Sequence, residues 1–240
     1  IALKMEAQNR LLVILGAGES GVGAAILAQA KGWRVFVSDG AQIKDSFQKE
    51  LQDNGIEFEA ARHSMERILA ADLLIKSPGI PENTAIMQAI RQKGIQVISE
   101  IEFGGYYSNA KQICITGSNG KTTTTMWCYH ILKKAGLNVG LAGNVGQSFA
   151  KQIATEAYDI YVLELSSFQL DDMYDFRADI AILTNITPDH LDRYDYQMDN
   201  YVRSKFRILQ NQTVADHFIY NADDATIASY IKGIQLNAQL

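Results

Sequence analysis

The chain has 240 residues, of which 47% are hydrophobic and 20% are charged. This length favours two domains, and this composition excludes a mainly disordered chain because enough apolar residues are present to form real cores. The formal net charge of −5, without any run of Lys and Arg, argues against nucleic acid as a partner.

The sequence also indicates a cellular location. No stretch approaches the roughly 18 consecutive apolar residues that span a bilayer, and the first residues, IALKMEAQNR, have no apolar signal-peptide core. The two cysteines, Cys114 and Cys128, form no CxxC pair, so neither a disulfide framework nor a zinc site is indicated. We therefore expect a cytoplasmic protein that does not bind the membrane.

Two series of apolar, β-branched segments alternate with segments of helical periodicity. The first series comprises LLVIL, RVFVS, LLIKS and IQVIS, at residues 11–15, 34–38, 73–77 and 95–99. The second begins with QICITG at 112–117 and continues through LNVGLAG, YDIYVLEL, ADIAILTN and DHFIYNA. This alternation predicts an α/β fold with two parallel sheets. We expect a Rossmann-like domain at residues 1–100 and a P-loop-containing central domain at residues 101–240.

A glycine-rich loop follows the first predicted strand. The segment Gly16-Ala17-Gly18-Glu19-Ser20-Gly21 leads into a predicted helix, and Asp39 ends the second strand. In Rossmann-like domains such a loop places a phosphate at the helix N-terminus, and the acid binds a ribose hydroxyl. Taken alone the pattern indicates NAD, but any nucleotide diphosphate would satisfy it, and a glycine turn used only for helix packing is the structural alternative.

A second phosphate-binding pattern begins the second domain. The strand QICIT runs into Gly117-Ser118-Asn119-Gly120-Lys121-Thr122-Thr123 and then into a predicted helix. Backbone N–H groups, the helix N-terminus and a lysine bind nucleotide phosphates in such loops, and the hydroxyl that follows the lysine binds Mg²⁺. The usual P-loop has its first glycine where Ile115 stands, so this loop is a shortened variant.

Acidic, histidine and lysine residues follow later strands of the second domain. Glu164 ends YDIYVLEL, at a position where a further Mg²⁺ contact is expected. His190 lies in NITPDHLD after the next strand and is the one histidine that we select as a candidate metal ligand. Lys205 lies in a predicted helix, where spacing alone favours a solvated side chain. The other histidines are interpreted as surface residues: His63, His130 and His217.

Together these segments resemble the Mur ligase family. TGSNGKTT resembles the nucleotide loop of the family, AGNVGQ at 142–147 its GNxG substrate loop, and ELSSFQL with NITPDHLDRY its acidic and histidine segments. The residues that follow the glutamate in ELSSFQL resemble the branch of the family that adds D-glutamate. The resemblance covers essentially the whole chain, including SPGI and NADD.

The resemblance implies a set of site residues. The UDP part of the substrate would be bound by Gly18, Glu19, Ser20, Asp39, Ser77 and Gly79, and its muramoyl-alanine arm by Asn144 and Ser166. The phosphates of ATP would be bound by residues 117–123, with Lys121 acting in catalysis together with His190 and Lys205. One Mg²⁺ would be held by Thr122 and Glu164, and a second by His190 and by Lys205, which is carbamylated in this family. Glu19 stands where the family loop has an apolar residue.

The resemblance also implies a reaction. ATP would activate the carboxylate of UDP-N-acetylmuramoyl-L-alanine as an acyl phosphate, and the amine of D-glutamate would then form an amide in cytoplasmic peptidoglycan precursor synthesis. Such ligases carry a third, C-terminal domain that supplies the amino-acid pocket, and this sequence ends before one. We therefore expect the chain to be a monomer that binds its ligands without turnover.

Three other functions remain open at this level. An NAD-dependent oxidoreductase would account for the first glycine-rich loop but not for the second phosphate loop. Another Mur-type ligase would differ in the amino acid that it adds. A nucleotide-binding module without catalytic activity is the third alternative.

Overall fold

The computed structural model describes Ala7 and residues 9–240 and contains two sets of alternating strands and helices. The strands are β1 (Leu11–Leu15), β2 (Arg34–Ser38), β3 (Glu57–Glu59), β4 (Leu73–Lys76), β5 (Val97–Ile98), β6 (Lys111–Thr116), β7 (Val139–Gly143), β8 (Ile160–Glu164), β9 (Ile180–Leu183) and β10 (His217–Tyr220). The helices are α1 (Glu19–Ala30), α2 (Asp45–Asp53), α3 (Met65–Ile68), α4 (Ala85–Lys93), α5 (Glu100–Gly105), α6 (Lys121–Lys134), α7 (Phe149–Thr155), α8 (Ser167–Asp171), α9 (Met198–Phe206) and α10 (Ala225–Ile231). Short 3₁₀ helices span Leu191–Tyr194 and Arg207–Leu209.

The strands form two parallel sheets, as the sequence predicts. The first has the order β3-β2-β1-β4-β5 and the second the order β10-β9-β6-β8-β7, and every pairing between named strands is parallel. The central strands are buried on both faces, which explains their continuous apolar runs. The predicted α/β fold is therefore confirmed. No helix in the described part of the chain has both the length and the apolar character needed to cross a membrane.

The chain divides into two compact units at positions that differ from the expected boundary. The first unit extends to Ser108 and also contains Gln147–Ala157, while the second contains Asn109–Gly146 and Tyr158–Leu240. The boundary near Glu100 that the sequence predicts places α5 and α7 in the second domain, whereas both helices belong to the first unit of the structure. Periodicity identifies α7 as a helix but does not show against which sheet it packs.

A buried carboxylate explains why α7 belongs to the first unit. Glu100 Oε1 accepts hydrogen bonds from Ser148 Oγ at 2.6 Å and from the Ala150 N–H at 2.7 Å, so it fixes the first turn of α7. A Cβ atom on Gly23 of α1 would lie 2.0 Å from Ser148 Oγ. Only a glycine at this position lets α7 approach α1 so closely.

Protonation of Glu100 should make the first unit sensitive to pH. Burial raises the pKa of Glu100 from 4.5 to about 7, the charge of Glu19 acts in the same direction, and hydrogen bonds from Ser148 and Ala150 oppose the shift. Because the folded state holds this proton more tightly than the unfolded state, the stabilisation is complete below pH 4.5 and is lost as the pH rises to about 7. The loss should be on the order of 3 kcal/mol.

Thermal unfolding as a function of pH tests this expectation. Glu100→Gln should remove most of the loss between pH 4.5 and 7, because the amide keeps an acceptor oxygen and carries no charge. Glu66→Gln, at an exposed position of α3, is the matched control and should behave like the parent protein. The same pH dependence of stability in the parent protein and in Glu100→Gln would show that Glu100 is ionised in the folded state.

Candidate functional site

The first unit carries an open cleft along the carboxyl edge of its sheet. The cleft has a volume of about 710 Å³ and is lined by the turns that follow β1, β2, β3 and β4. Its lining includes Gly16, Gly18, Asp39, Ser77 and Gly79. Ligands of open α/β sheets bind at this edge, so the sequence-predicted residues after three separate strands converge where a nucleotide is expected.

Asp39 joins the glycine-rich loop to the end of β2. Its two carboxylate oxygens accept hydrogen bonds from the Ala17 N–H at 2.7 Å and from the Ala41 N–H at 2.8 Å. Each oxygen can accept a further bond, so the carboxylate can still bind a sugar hydroxyl. A Cβ atom on Gly16 would lie 2.7 Å from Ser77 Cβ, so this glycine lets the loops after β1 and β4 meet.

Two of the predicted residues of this loop lie at the start of α1. Glu19 is the first residue of the helix, its side chain is exposed, and Oε1 accepts the Ser148 N–H at 3.2 Å. Ser20, the second residue of the helix, is half-buried. The carboxylate of Glu19 therefore takes part in holding α7, and neither Glu19 nor Ser20 is among the residues that line the cleft.

His63 was assigned to the surface from the sequence, and this interpretation is wrong. The imidazole is half-buried, lines the cleft, and has Nδ1 2.7 Å from Ser38 Oγ. The misassignment has a local cause. The strand β3, which ends at Glu59 and leads the chain to His63, has three residues with two acids, so it lacks the apolar run that revealed the other strands. In contrast, His130 and His217 are exposed as predicted.

The phosphate loop of the second unit connects β6, the central strand, to α6. Gly117 has φ +150, and a Cβ atom there would lie 2.0 Å from Thr184 Oγ1, so this position requires glycine. Hydrogen bonds to the segment after β9 hold the loop: Ser118 Oγ donates to the Thr187 carbonyl at 2.8 Å, and the Asn119 N–H donates to Asn185 Oδ1 at 2.9 Å. The shortened loop is thus a preformed turn at the N-terminus of a 14-residue helix.

Two lysine ammonium groups converge on the phosphate loop. Lys121 Nζ donates to the carbonyls of Gly117 at 2.8 Å and Ser118 at 2.9 Å. Lys205 Nζ, from α9, donates to the same Gly117 carbonyl at 2.8 Å. An anion bound at the loop would therefore meet two cationic side chains from different helices.

Lys205 is buried, so the prediction of a solvated side chain, which its helical spacing favours, is wrong. Its relative exposure is 2%, and the ammonium lies 5.2 Å from the centre of the Tyr201 ring. Burial and then the charge of Lys121 lower the pKa of Lys205 to about 7, against the opposing influence of Asp189 and other nearby carboxylates. With a pKa of about 7, a substantial fraction of Lys205 is the neutral, nucleophilic amine near neutral pH, and the remainder is the cation.

Glu164 ends β8, next to the phosphate loop, and joins two other predicted residues. Its Oε2 accepts a hydrogen bond from Thr122 Oγ1 at 2.8 Å, and its Oε1 accepts one from Asn144 Nδ2 at 2.9 Å. Glu164 is buried, with 1% of the residue exposed. A hydroxyl and a carboxylate oxygen at this separation are ligands that Mg²⁺ prefers, so the pair fits the predicted metal position.

The remaining predicted residues are less closely associated. His190 is exposed, with Nε2 3.7 Å from Asp189 Oδ1 and its ring 5.4 Å from that of Phe168. Ser166 forms a capping box with Gln169 at the start of α8, so its hydroxyl has a structural role. Thr123 is exposed in the first turn of α6. Among the described residues, no three His, Cys, Asp or Glu side chains form a ready-made metal cage.

Comparison with known families decides the relationship of the chain. The Mur ligase middle domain family matches residues 115–239, more than half of the chain, and the Mur ligase MurD-like N-terminal domain family matches residues 10–99. The chain belongs to the Mur ligase family. The resemblance predicted from the phosphate loop and from ELSSFQL is confirmed.

Curated Mur ligases resemble the chain over nearly its whole length. It is 61% identical over 216 residues to UDP-N-acetylmuramoylalanine–D-glutamate ligase of Bacteroides fragilis, covering 90% of this chain and 49% of that protein. It is 59% identical over 233 residues to the ligase of the same name from Cytophaga hutchinsonii, covering 96% of this chain and 52% of that protein. The chain thus spans about half the length of the curated Mur ligases it matches.

A solved Mur ligase structure shares the fold. UDP-N-acetylmuramate:L-alanyl-gamma-D-glutamyl-meso-diaminopimelate ligase from Neisseria meningitides aligns over 96% of this chain and 76% of that chain with a TM-score of 0.66. The sequence identity is 18%, so this similarity concerns the fold alone. It agrees with the two parallel-sheet α/β units of this chain.

Proposed function

We propose that this chain provides the nucleotide-binding parts of an ATP-dependent ligase that adds D-glutamate to UDP-N-acetylmuramoyl-L-alanine in cytoplasmic peptidoglycan precursor synthesis. The observation that carries the proposal is the arrangement of Lys121, Lys205, Thr122 and Glu164 around the phosphate loop. The D-glutamate specificity is supported by the names of relatives that are about 60% identical. The chain would act as a monomer, with all of these residues on one copy.

In this proposal the first unit binds the UDP part of the precursor. The diphosphate lies at the N-terminus of α1, where Gly18, Glu19 and Ser20 begin the helix. Asp39 binds the ribose, and the turn at Ser77 and Gly79 lines the same cleft. The muramoyl-alanine arm would be bound by Asn144 and Ser166, which belong to the second unit.

The second unit would bind ATP and Mg²⁺. Residues 117–123 hold the phosphates through backbone N–H groups and Lys121. Thr122 and Glu164 would hold one ion, and His190 with a carbamylated Lys205 would hold the second. Bound there, Mg²⁺ would offset the negative charge of the transferring phosphoryl group.

The residues of the chain suit phosphoryl transfer to a carboxylate. The substrate carboxylate would attack the γ-phosphorus, ADP would leave, and an acyl phosphate would form. The ammonium group of Lys121 donates hydrogen bonds to two carbonyls of the phosphate loop, so it is held at the loop. In this position it would neutralise the negative charge that builds up on the phosphoryl oxygens. The amine of D-glutamate would then displace phosphate from the activated carbonyl and form the amide.

Product analysis with different amino acids tests the proposal. Because the relatives are about twice as long as this chain, the assay uses the full-length protein with ATP, Mg²⁺ and UDP-N-acetylmuramoyl-L-alanine. We expect one amide product and one phosphate per turnover with D-glutamate, and at least about a hundredfold lower kcat/KM with L-glutamate or L-alanine. Equal rates with an unrelated amino acid would contradict the assigned substrate, and NADH oxidation or reduction of NAD would point to a different enzyme class.

A further inference from the structure

A buried lysine ends the fourth strand of the first sheet, at a position where packing favours an apolar side chain. All four residues of β4 are buried, and Lys76, the last of them, is 4% exposed. Side chains alternate between the two faces of a strand, so Lys76 lies on the same face as Leu74, which belongs to a core cluster with Met87 and Ile90 of α4. An apolar residue would occupy this position without the cost of burying a charge, so packing does not explain the lysine.

The ammonium group of Lys76 is held by the segment that follows the strand. Nζ lies 2.8 Å from Glu82 Oε1 and donates to the Ile80 carbonyl at 3.4 Å. Arg91 of α4 donates to both oxygens of the same carboxylate, at 3.1 and 3.2 Å. Burial alone would raise the pKa of Glu82, but the hydrogen bonds and charges of Arg91 and Lys76 outweigh it, so the pKa lies below its ordinary value. The carboxylate is therefore ionised at neutral pH and bridges two cations.

These contacts hold both ends of the turn Ser77-Pro78-Gly79-Ile80-Pro81. Lys76 precedes the turn and Glu82 follows it, so their ion pair joins its two ends. Within the turn the Ile80 N–H donates to the Ser77 carbonyl at 3.1 Å, and the side chain of Ile80 packs on the core cluster of β4 and α4. A turn that is already ordered in this way loses little conformational entropy when a ligand binds to it.

The turn forms part of the cleft in which the UDP-linked substrate is proposed to bind. Several of its residues line that cleft: Ser77, Gly79, Ile80 and Pro81. A Cβ atom on Gly16 would lie 2.7 Å from Ser77 Cβ and 3.9 Å from Ile80 Cδ1, so the turn also lies against the glycine-rich loop. Neither Lys76 nor Glu82 is among the lining residues, so their ion pair can affect a ligand only through the turn.

We propose that Lys76 is a positioning residue for the UDP-linked substrate, because its ion pair with Glu82 holds the turn at residues 77–81 in the conformation that binds the nucleotide. The inference rests on the proposed function, in which the cleft binds that substrate. Replacing a buried ion pair by apolar groups is often neutral for stability, so the effect of Lys76 should appear in binding rather than in folding. Binding of ATP, proposed for the other unit, should not depend on Lys76.

Calorimetry on the chain itself tests the proposal with Lys76→Met, which removes the ammonium group and keeps an unbranched side chain. The variant should fold, because the Glu82 side chain is 51% exposed and stays bound to Arg91, so no buried charge loses its partner. We expect the Kd for UDP-N-acetylmuramoyl-L-alanine to rise about tenfold and the Kd for Mg-ATP to stay within about twofold. Lys93→Met removes an exposed lysine from the last turn of α4 and, as the matched control, should bind both ligands like the parent protein.

A second variant tests the ion pair from its other end. Glu82→Gln removes the negative charge and should also raise the Kd for the precursor, and it carries the test alone if Lys76→Met fails to fold. Because the two residues act through one contact, the double variant should bind the precursor no more weakly than Lys76→Met.

Hydrogen exchange reports on the turn without any ligand. The Ile80 amide is bonded to the Ser77 carbonyl in the parent protein, and it should exchange at least about tenfold faster in Lys76→Met. Amides of the buried strand β1 should exchange at the same rate in both proteins.

The outcomes separate this inference from the proposed function. If the Ile80 amide exchanges equally in the parent protein and Lys76→Met, the ion pair does not hold the turn. If exchange is faster but the Kd for the precursor is unchanged, binding does not require an ordered turn. Either result overturns the inference and leaves the proposed function intact, as do equal losses of precursor and Mg-ATP binding or additive effects in the double variant. If the parent protein does not bind the precursor, both proposals fail.

Discussion

Replacing Lys205 by alanine in the full-length enzyme should lower kcat by on the order of a hundredfold or more. The neutral amine of a lysine can attack CO₂ and release a proton, which gives a carbamate with one negative charge shared by two oxygens. Its buried position and a pKa of about 7 favour the neutral amine. The modification converts a cation, which would repel Mg²⁺, into the oxygen ligand that this ion prefers.

Chemical rescue distinguishes this role from simple packing. A short carboxylic acid such as acetate or propionate can enter the space left by Lys205→Ala and replace the missing oxygens, so part of the activity should return as the acid concentration rises. Arg203→Ala is the matched control, because it removes an exposed basic residue from the same helix, α9, and should leave kcat within about twofold. Full activity of Lys205→Ala would rule out the carbamate, and loss of activity without rescue would indicate that the lysine acts only through packing.

The fold was predictable wherever strands are long and apolar. The predicted segments LLVIL and RVFVS coincide with β1 and β2, because a strand buried on both faces has to be apolar along its whole length. The edge strand β3 escaped prediction because Glu57 and Glu59 flank a single apolar residue. The packing of α7 on the first unit could not be predicted either, since it depends on a contact between residues far apart in the sequence, Glu100 and Ser148.

The candidate site was predictable to the extent that its residues are local. The glycines and lysine of the phosphate loop are consecutive in the chain, and the carboxyl ends of neighbouring parallel strands bring Glu164 beside Thr122. Burial of a helical lysine depends on tertiary packing, so spacing suggested a solvated Lys205 and only the family resemblance pointed to the site. His63 follows a strand that the periodicity did not reveal, and its hydrogen bond to Ser38 was therefore unexpected.

Lys121→Ala should abolish measurable ATP binding while leaving the binding of the UDP precursor nearly unchanged. The ammonium of Lys121 lies on the carbonyls of the phosphate loop, so its removal takes away the cation that meets the β- and γ-phosphates. We expect ATP affinity to fall by at least about a hundredfold, since hydrogen bonds to charged groups contribute ~1.5–3 kcal/mol each. Residues proposed to bind UDP, such as Gly18 and Asp39, belong to the other unit.

A control variant separates this effect from a general loss of charge. Lys134→Ala removes an exposed lysine from the last turn of the same helix, α6, and should bind both ligands like the parent protein. Thermal unfolding of both variants shows whether the phosphate loop keeps its fold without the ammonium group. An intact fold is expected, because Ser118 and Asn119 still bond to the segment after β9.

Titration of the parent chain and of Lys121→Ala with Mg-ATP and, separately, with UDP-N-acetylmuramoyl-L-alanine tests the central claim most directly, namely that two different nucleotides bind to two different units. We expect one site for each ligand in the parent protein and, in Lys121→Ala, loss of ATP binding with a change of no more than about twofold in Kd for the precursor. Equal loss of both ligands in a folded Lys121→Ala protein, or failure of the parent chain to bind the UDP precursor, would contradict it.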